Sequence, residues 1–255
     1  MEKRGSLIQI AGATALVTGG ARRIGRAIAL ALAKRGANIV VHHLTSADEA
    51  ARVVEEARAL GVSAWPLRAD LGDWAEAEAL IARAIKQAGP IGILVNNASV
   101  WRRGSIAEAS PAQIAEHTQV NATAPLQLIR AVAAQGIAAS VVNLLDARVA
   151  DRDRAHAAYH LSKRVLVDIT RRCAVEFAPL VRVNAVAPGL VLPPEGQGAE
   201  YLERLKHTNL LGRAGTVEEV VAAVLFLLEA GFTTGQVIFV DGGRHLKGPG
   251  DAPGQ

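Results

Sequence analysis

The chain has one cysteine, Cys173, among its 255 residues, and one methionine. A single thiol excludes an internal disulfide, and Cys173 falls inside a helical pattern, where it reads as a small buried apolar group rather than a nucleophile. Aromatic residues make up only 4%, so Ala, Val and Leu must build the core. The longest fully apolar run, Val220 to Leu228, is far shorter than the ~20 residues a bilayer-spanning helix requires. The opening Met-Glu-Lys-Arg leads into a strand, without the apolar stretch and small-residue site of a signal peptide. A soluble cytoplasmic protein is expected. No Lys/Arg run with interleaved aromatics is present, which argues against nucleic acid as a partner. His42, His43 and His156 make no metal-ligand spacing with other candidates, and no metal is assigned.

What is present suits an α/β protein. Half of the residues are apolar, glycine is plentiful, and the formal net charge is +4, a balance that can attract a polyanionic cofactor or an acidic substrate. The length suits one domain over residues 1–255, too small for a dinucleotide domain plus an independent substrate domain. Cofactor and substrate are therefore expected to share it.

Residues 13–36 form a β-branched apolar run, a Gly-rich turn and a helix with apolar residues at 3.6 spacing. That is the opening of a dinucleotide-binding unit. Gly19 and Gly20 free the turn backbone, and Gly25 permits close approach of helix and strand, so that a pyrophosphate can sit on the helix N-terminus. Arg22 and Arg23 add two guanidinium groups suited to bidentate phosphate contacts. The second strand, 37–43, ends at His43-Leu44-Thr45-Ser46, with no carboxylate before Asp48 to receive a ribose 2′-hydroxyl. Both features point to NADP(H) over NAD. Thr45 and Ser46 can donate to a 2′-phosphate, while Ser46 can equally cap the following helix.

Further along, strand 63–67 leads to Asp70 and Leu71, with Asp70 placed either to meet an adenine amino group or to cap a helix. A helix over 74–88 stops at Gly89-Pro90, and strand 91–95 ends in Asn96-Asn97-Ala98-Ser99. A long helix is predicted from Ser110-Pro111 to about Gln135, kinked near Asn121 because Pro125 removes a backbone donor. Strand 140–145 precedes Asp146, and a helix over 155–177 carries Tyr159 and Lys163 one turn apart on one face. An ammonium beside a phenol stabilises phenolate, so Lys163 is expected to lower the Tyr159 pKa. Strand 182–187 ends in Pro188-Gly189. Residues 190–213 read as a lid over a cleft with a short helix near 200–206, and helix 217–229, strand 235–240 and a disordered tail at 247–255 complete the chain. The fold class is a doubly wound, seven-stranded parallel sheet with helices on both faces, a single-domain Rossmann fold.

Taken together, Thr18-Gly19-x-x-x-x-Ile24-Gly25, Asp70-Leu71, Asn96-Asn97-Ala98, Asn121, Tyr159-x-x-x-Lys163, Pro188-Gly189 and Asp241-Gly242-Gly243 resemble the short-chain dehydrogenase/reductase family over nearly the whole chain. The resemblance implies that Tyr159 protonates substrate, that Lys163 orients the nicotinamide ribose, and that Asn121 holds a water in the proton relay. It also implies cofactor contacts from Gly19, Arg22, Ile24, His43, Asn97, Ala98, Ser99, Pro188, Gly189 and Val191. Three departures are sharper: Arg23 stands at the usual second glycine, Asp146 at the usual strand-five serine, and Ser99-Val100-Trp101 follows the paired asparagines.

All three departures resemble the pteridine reductases, including the dihydromonapterin reductase type, which the closing Asp241 to Leu246 also echoes. In that branch the Arg23 position touches cofactor phosphate and pterin, Ser99 and Trp101 bind and stack the pterin, Asp146 pairs with the tyrosine, and Leu190 joins the substrate pocket. The competing structural roles are a cap or salt bridge to Arg148 or Arg152 for Asp146, and surface packing for Trp101. An NADPH-dependent pterin reductase is expected, with a homotetramer implied by the family. The rivals are a carbonyl reductase of the same fold and a non-catalytic NADPH-binding regulatory protein.

Overall fold

The computed structural model describes residues 8–150 and 154–247. Seven strands form one parallel sheet: β1 (Thr14–Val17), β2 (Asn38–His43), β3 (Ala64–Arg68), β4 (Ile91–Asn96), β5 (Ala139–Leu144), β6 (Val181–Pro188) and β7 (Val237–Val240), in the spatial order β3-β2-β1-β4-β5-β6-β7. The order reverses between β1 and β4, which opens a crevice at their carboxyl ends.

Alternation along each strand feeds two cores. Ala15, Val17, Ile39 and Val41 pack toward α1 (Arg23–Lys34), α2 (Ala47–Ala59) and α8 (Val217–Glu229). Leu16, Val40, Leu94 and Val141 face the other way, toward α3 (Trp74–Ala88), α5 (Ala124–Ala133) and the Cys173–Ala174 turn of α6 (Ala157–Glu176). Cys173 is buried, and burial pushes its thiol up to about 11, as an inert core group requires. Capping boxes start α4 (Pro111–Thr118) at Ser110 and Gln113, and α8 at Thr216 and Glu219. The Arg182 guanidinium donates to the carbonyls of Leu227 and Leu228 and closes the other end of α8.

Several boundaries differ from the sequence reading. The helix predicted to run from Ser110 to about Gln135 is α4 and α5 joined by a π-helical turn over Gln119–Thr123, with Asn121 inside it. Pro125 lacks the donor that would continue regular bonding, and the Ala124 N–H reaches back to the Gln119 carbonyl. β7 begins at Val237 because Gly235 takes a left-handed φ of 73°. Residues 190–213 contain α7 (Ala199–Leu205). Ser46 makes no capping bond to α2, and α3 is capped by Asp73 and not by Asp70, whose carboxylate accepts instead from the Gly72 N–H. Residues 248–255 of the expected tail lie outside the described residues. Among the described residues no helix is long and apolar enough to cross a membrane.

His42 ties three of these parts together. Its Nδ1 accepts from the Gly19 N–H at 3.1 Å, and its Nε2 donates to the Ala69 carbonyl at 3.1 Å, so the imidazole is neutral with one defined tautomer. Burial pushes its pKa from 6.5 down to about 4. As pH falls, the unfolded chain therefore takes up this proton first. The stabilisation is complete above pH 6.5 and is lost between pH 6.5 and 4, amounting to about 3 kcal/mol from this residue. Urea melts across that range should show the loss. In His42→Gln the slope from this site should vanish, while stability at pH 7 falls by about 1–3 kcal/mol as buried backbone groups lose their partner.

Candidate active site

The turn between β1 and α1 needs its glycines. Gly19 has φ of 60°, and a Cβ there would lie 3.1 Å from the Ala98 Cα. A Cβ on Gly25 would come within 2.2 Å of the Gly19 carbonyl oxygen and 2.5 Å of Asn97 Nδ2. Asn97 Nδ2 donates to the Thr18 and Gly19 carbonyls, and the Thr18 hydroxyl accepts from the N–H groups of Asn97 and Ala98. The turn is thereby pinned to the end of β4. Arg23 is the one non-glycine with positive φ among the described residues, at 53°. Its backbone takes the left-handed conformation that favours glycine, and its side chain lines the cleft.

Two lobes meet at this turn. One, of about 740 Å³, is lined by Gly19, His43, Thr45, Ser46, Asp70, Leu71 and Ala98. The other, of about 700 Å³, is lined by Trp101, Asp146, Tyr159, Lys163, Leu190 and Val191, with Pro188 and Gly189 at its back. Arg22, Arg23, Ile24, Asn97 and Ser99 border both. A bare backbone cradle at a helix N-terminus, two guanidinium groups at the junction and hydroxyls at the β2 tip fit a phosphorylated dinucleotide. Both arginines also reach the segment over residues 190–213. Arg23 Nη2 donates to the Pro193 carbonyl at 2.7 Å, and Arg22 lies 3.5 Å from the Glu195 carboxylate in an exposed pair.

In the second lobe, the Tyr159 hydroxyl donates to Asp146 Oδ2 at 3.1 Å. The other carboxylate oxygen of Asp146 accepts from the Arg148 N–H at 2.7 Å and so caps the short 3₁₀ turn that follows β5. Capping and pairing with tyrosine thus coexist. Lys163 Nζ donates to the Leu144 carbonyl at 2.8 Å and sits 5.7 Å from the centre of the Tyr159 ring.

The expectation that Lys163 lowers the Tyr159 pKa is corrected. Burial, and then the facing Asp146 carboxylate, hold the phenol well above its usual range. Burial also brings the Lys163 ammonium down to about 8, against the opposing pull of Asp146.

Asn121 is the one sequence-designated residue that lines neither lobe. Its Oδ1 accepts from the Val100 N–H at 2.8 Å and the Ser99 hydroxyl at 3.0 Å, while Nδ2 donates to the Val100 carbonyl and to Ser162 Oγ. The amide is thus engaged in fixing the loop after β4. Trp101 stacks on His156. Asn96 donates to Asn143, which donates to Thr170, a buried staple across β4, β5 and α6.

The sequence reading missed Arg148, Tyr201, Leu205 and Arg244, all of which line the second lobe. The signal for Arg244 was its place after Asp241-Gly242-Gly243, where the aspartate accepts from the Gly243 and His245 N–H groups and bends the chain back. It also missed His42, whose signal was a histidine at the end of an apolar strand facing the Gly-rich turn. Among the described residues no group of three or more His, Cys, Asp or Glu is placed to hold a metal ion.

Comparison with known proteins agrees with this architecture. Residues 19–245 match the family described as enoyl-(acyl carrier protein) reductase. The chain is 31% identical over 241 residues to the 3-oxoacyl-[acyl-carrier-protein] reductase FabG of Staphylococcus aureus, covering 91% of this chain and 98% of that one. Among solved structures it is similar to FolM alternative dihydrofolate reductase 1 from Brucella canis complexed with NADP, with 34% identity, a TM-score of 0.89, and coverage of 97% of this chain and 100% of that one. It is also similar to the angucycline C-6 ketoreductase LanV with bound NADP, with 30% identity, a TM-score of 0.86, and coverage of 94% and 98%. With its sheet order, glycine turn and Tyr159–Lys163 pair, the chain belongs to the short-chain dehydrogenase/reductase family.

Proposed function

We propose that this protein is an NADPH-dependent reductase of pterins that reduces a ring C=N bond, with dihydropterin to tetrahydropterin as the main step. The observation that carries the reading is the Asp146 carboxylate 3.1 Å from the Tyr159 hydroxyl. A ketone offers only an oxygen to be polarised, and a hydroxyl at position 146 would donate to it. An ionised carboxylate only accepts, which suits the amino and ring N–H groups of a pterin. The two NADP-bound relatives reported above, a dihydrofolate reductase and a ketoreductase, support the cofactor assignment.

The Gly19–Gly25 cradle would hold NADPH, the source of the hydride, with Arg22, Arg23, Thr45 and Ser46 placed to bind its phosphates and Asp70 and Leu71 its adenine end. Tyr159, kept protonated by burial and Asp146, delivers a proton to the ring nitrogen. The Lys163 ammonium offsets the negative charge that develops on the phenol as the proton leaves. Asn121 acts by positioning Ser99.

Similarity to FabG and LanV favours the second reading, reduction of a carbonyl by the same tyrosine. NADPH consumption with dihydrobiopterin or dihydromonapterin, beside a panel of ketones, separates the two. Pterin turnover should exceed ketone turnover in the wild type. In Asp146→Ser it should fall roughly 100-fold or more, in the range of a lost acid–base group, with the KM for NADPH little changed. Turnover of ketones alone would discard the pterin reading.

The pH profile tests Lys163. Its charge is required, and in the free protein it is lost near pH 8. Accordingly kcat/KM should be flat below that point and should fall by roughly tenfold per pH unit above it. In Lys163→Arg the alkaline limb should disappear, because a guanidinium does not titrate in this range, even where the plateau rate is lower.

A further inference from the structure

The substrate lobe is joined to the helix of the proton donor by a run of rings. Trp101, in the loop after β4, stacks on His156 with ring centres 4.3 Å apart and planes 15° apart. His156 is the N-cap residue of α6, one turn before Tyr159 and His160. The backbone is stitched at the same place. The Gly104 N–H donates to the Ala155 carbonyl at 2.7 Å, and the Ala157 N–H donates to the Gly104 carbonyl at 3.0 Å. Beyond His156, the His160 ring stands edge-on at 6.5 Å, and the Tyr159 ring stands edge-on to His160 at 5.2 Å.

Trp101 lines the substrate lobe and His156 does not. The imidazole therefore covers one face of the indole, and Trp101, 47% exposed, meets the lobe with what is left uncovered. A half-exposed indole on a loop would otherwise sample several rotamers, and ordering it on binding would weaken affinity. The imidazole removes that disorder before a ligand arrives.

We propose that His156 is a positioning residue for substrate selection, holding Trp101 as a fixed flat wall that favours planar ring substrates over aliphatic ones. This deepens the pterin reading and rests on it for the identity of the ring. A flat ring gains its full contact only from an indole already parallel to it, whereas an aliphatic ketone has no matching face to offer.

The test uses the full chain with His156→Ala, His156→Phe, Trp101→Ala and the double variant His156→Ala/Trp101→Ala. In His156→Ala the KM for dihydrobiopterin should rise roughly 3- to 10-fold, the range of one aromatic stacking contact, while kcat and the KM for NADPH stay at their wild-type values. His156→Phe, which keeps a ring behind the indole, should restore the wild-type KM. Trp101→Ala should show at least the same rise, and adding His156→Ala to it should change nothing further, because the two act through one contact. An unchanged KM in His156→Ala overturns the proposal. So does an equal loss in kcat or in NADPH affinity, which would mark His156 as a part of the α6 start and no more.

If the wild type turns over no pterin, the proposed function falls on that result alone. The wall is then tested with a planar bicyclic ketone beside an aliphatic ketone. A preference for the planar one that His156→Ala abolishes upholds the proposal, and any other outcome overturns it.

Discussion

Where β1 and β4 part, Thr18 and Asn97 close the gap with their own side chains, and the site is built outward from that junction. The Thr18 hydroxyl takes the N–H groups of Asn97 and Ala98, and the Asn97 amide takes the carbonyls of Thr18 and Gly19. His42 takes the remaining Gly19 N–H from the other side. Each of these backbone groups sits at the end of a strand in a sheet covered on both faces, where an unpaired polar group costs more than most single packing contacts contribute. The turn so fixed brings α1 within a distance that only Gly25 permits. It also launches Arg22 and Arg23 over the boundary of the two lobes.

The opposite wall depends on desolvation. Burial acts on Tyr159 and Lys163 in opposite directions, raising the phenol and lowering the ammonium, because in each case it disfavours the charged form. Asp146 adds to the first shift and opposes the second. The result is a protonated phenol facing a carboxylate, with a cation one turn behind it that is held by the Leu144 carbonyl. Such an arrangement keeps the phenol protonated. The loop carrying Ser99 and Trp101 is clamped from below by Asn121 and from the side by the Gly104 bridge to α6. Tyr159 and the loop of Trp101 are therefore referred to the same helix.

The strands, the helices and their alternation were legible because burial on both sheet faces leaves a simple trace: short apolar runs spaced by helices of 3.6 periodicity. Glycine spacing before α1 and the Tyr159–Lys163 interval were legible for a related reason, since each reflects a constraint within one turn of chain. Ser46 was ambiguous because a hydroxyl ahead of a helix suits either a cap or a cleft, and only its rotamer distinguishes them. Asp70 was left open between a cap and a cofactor contact, since Asp70 and Asp73 are equally good capping residues in a linear reading, and the packed chain uses Asp73 as the cap of α3. The partners of Asn121, Val100 and Ser162, lie on other elements and could not be read from its neighbours in the chain.

The amino-acid sequence by itself determined the strand–helix order, the glycine turn before α1 and most of the residues that meet at the cleft, because each is encoded in local spacing and side-chain chemistry. The tertiary structure alone decided the direction of the Tyr159 shift, the pinning of Gly19 by His42, the entry of Arg148 and Arg244 into the substrate lobe and the backing of Trp101 by His156. These depend on how far water is excluded and on which side chains from distant elements face each other. Both quantities are properties of the packed chain and have no counterpart in the order of its residues.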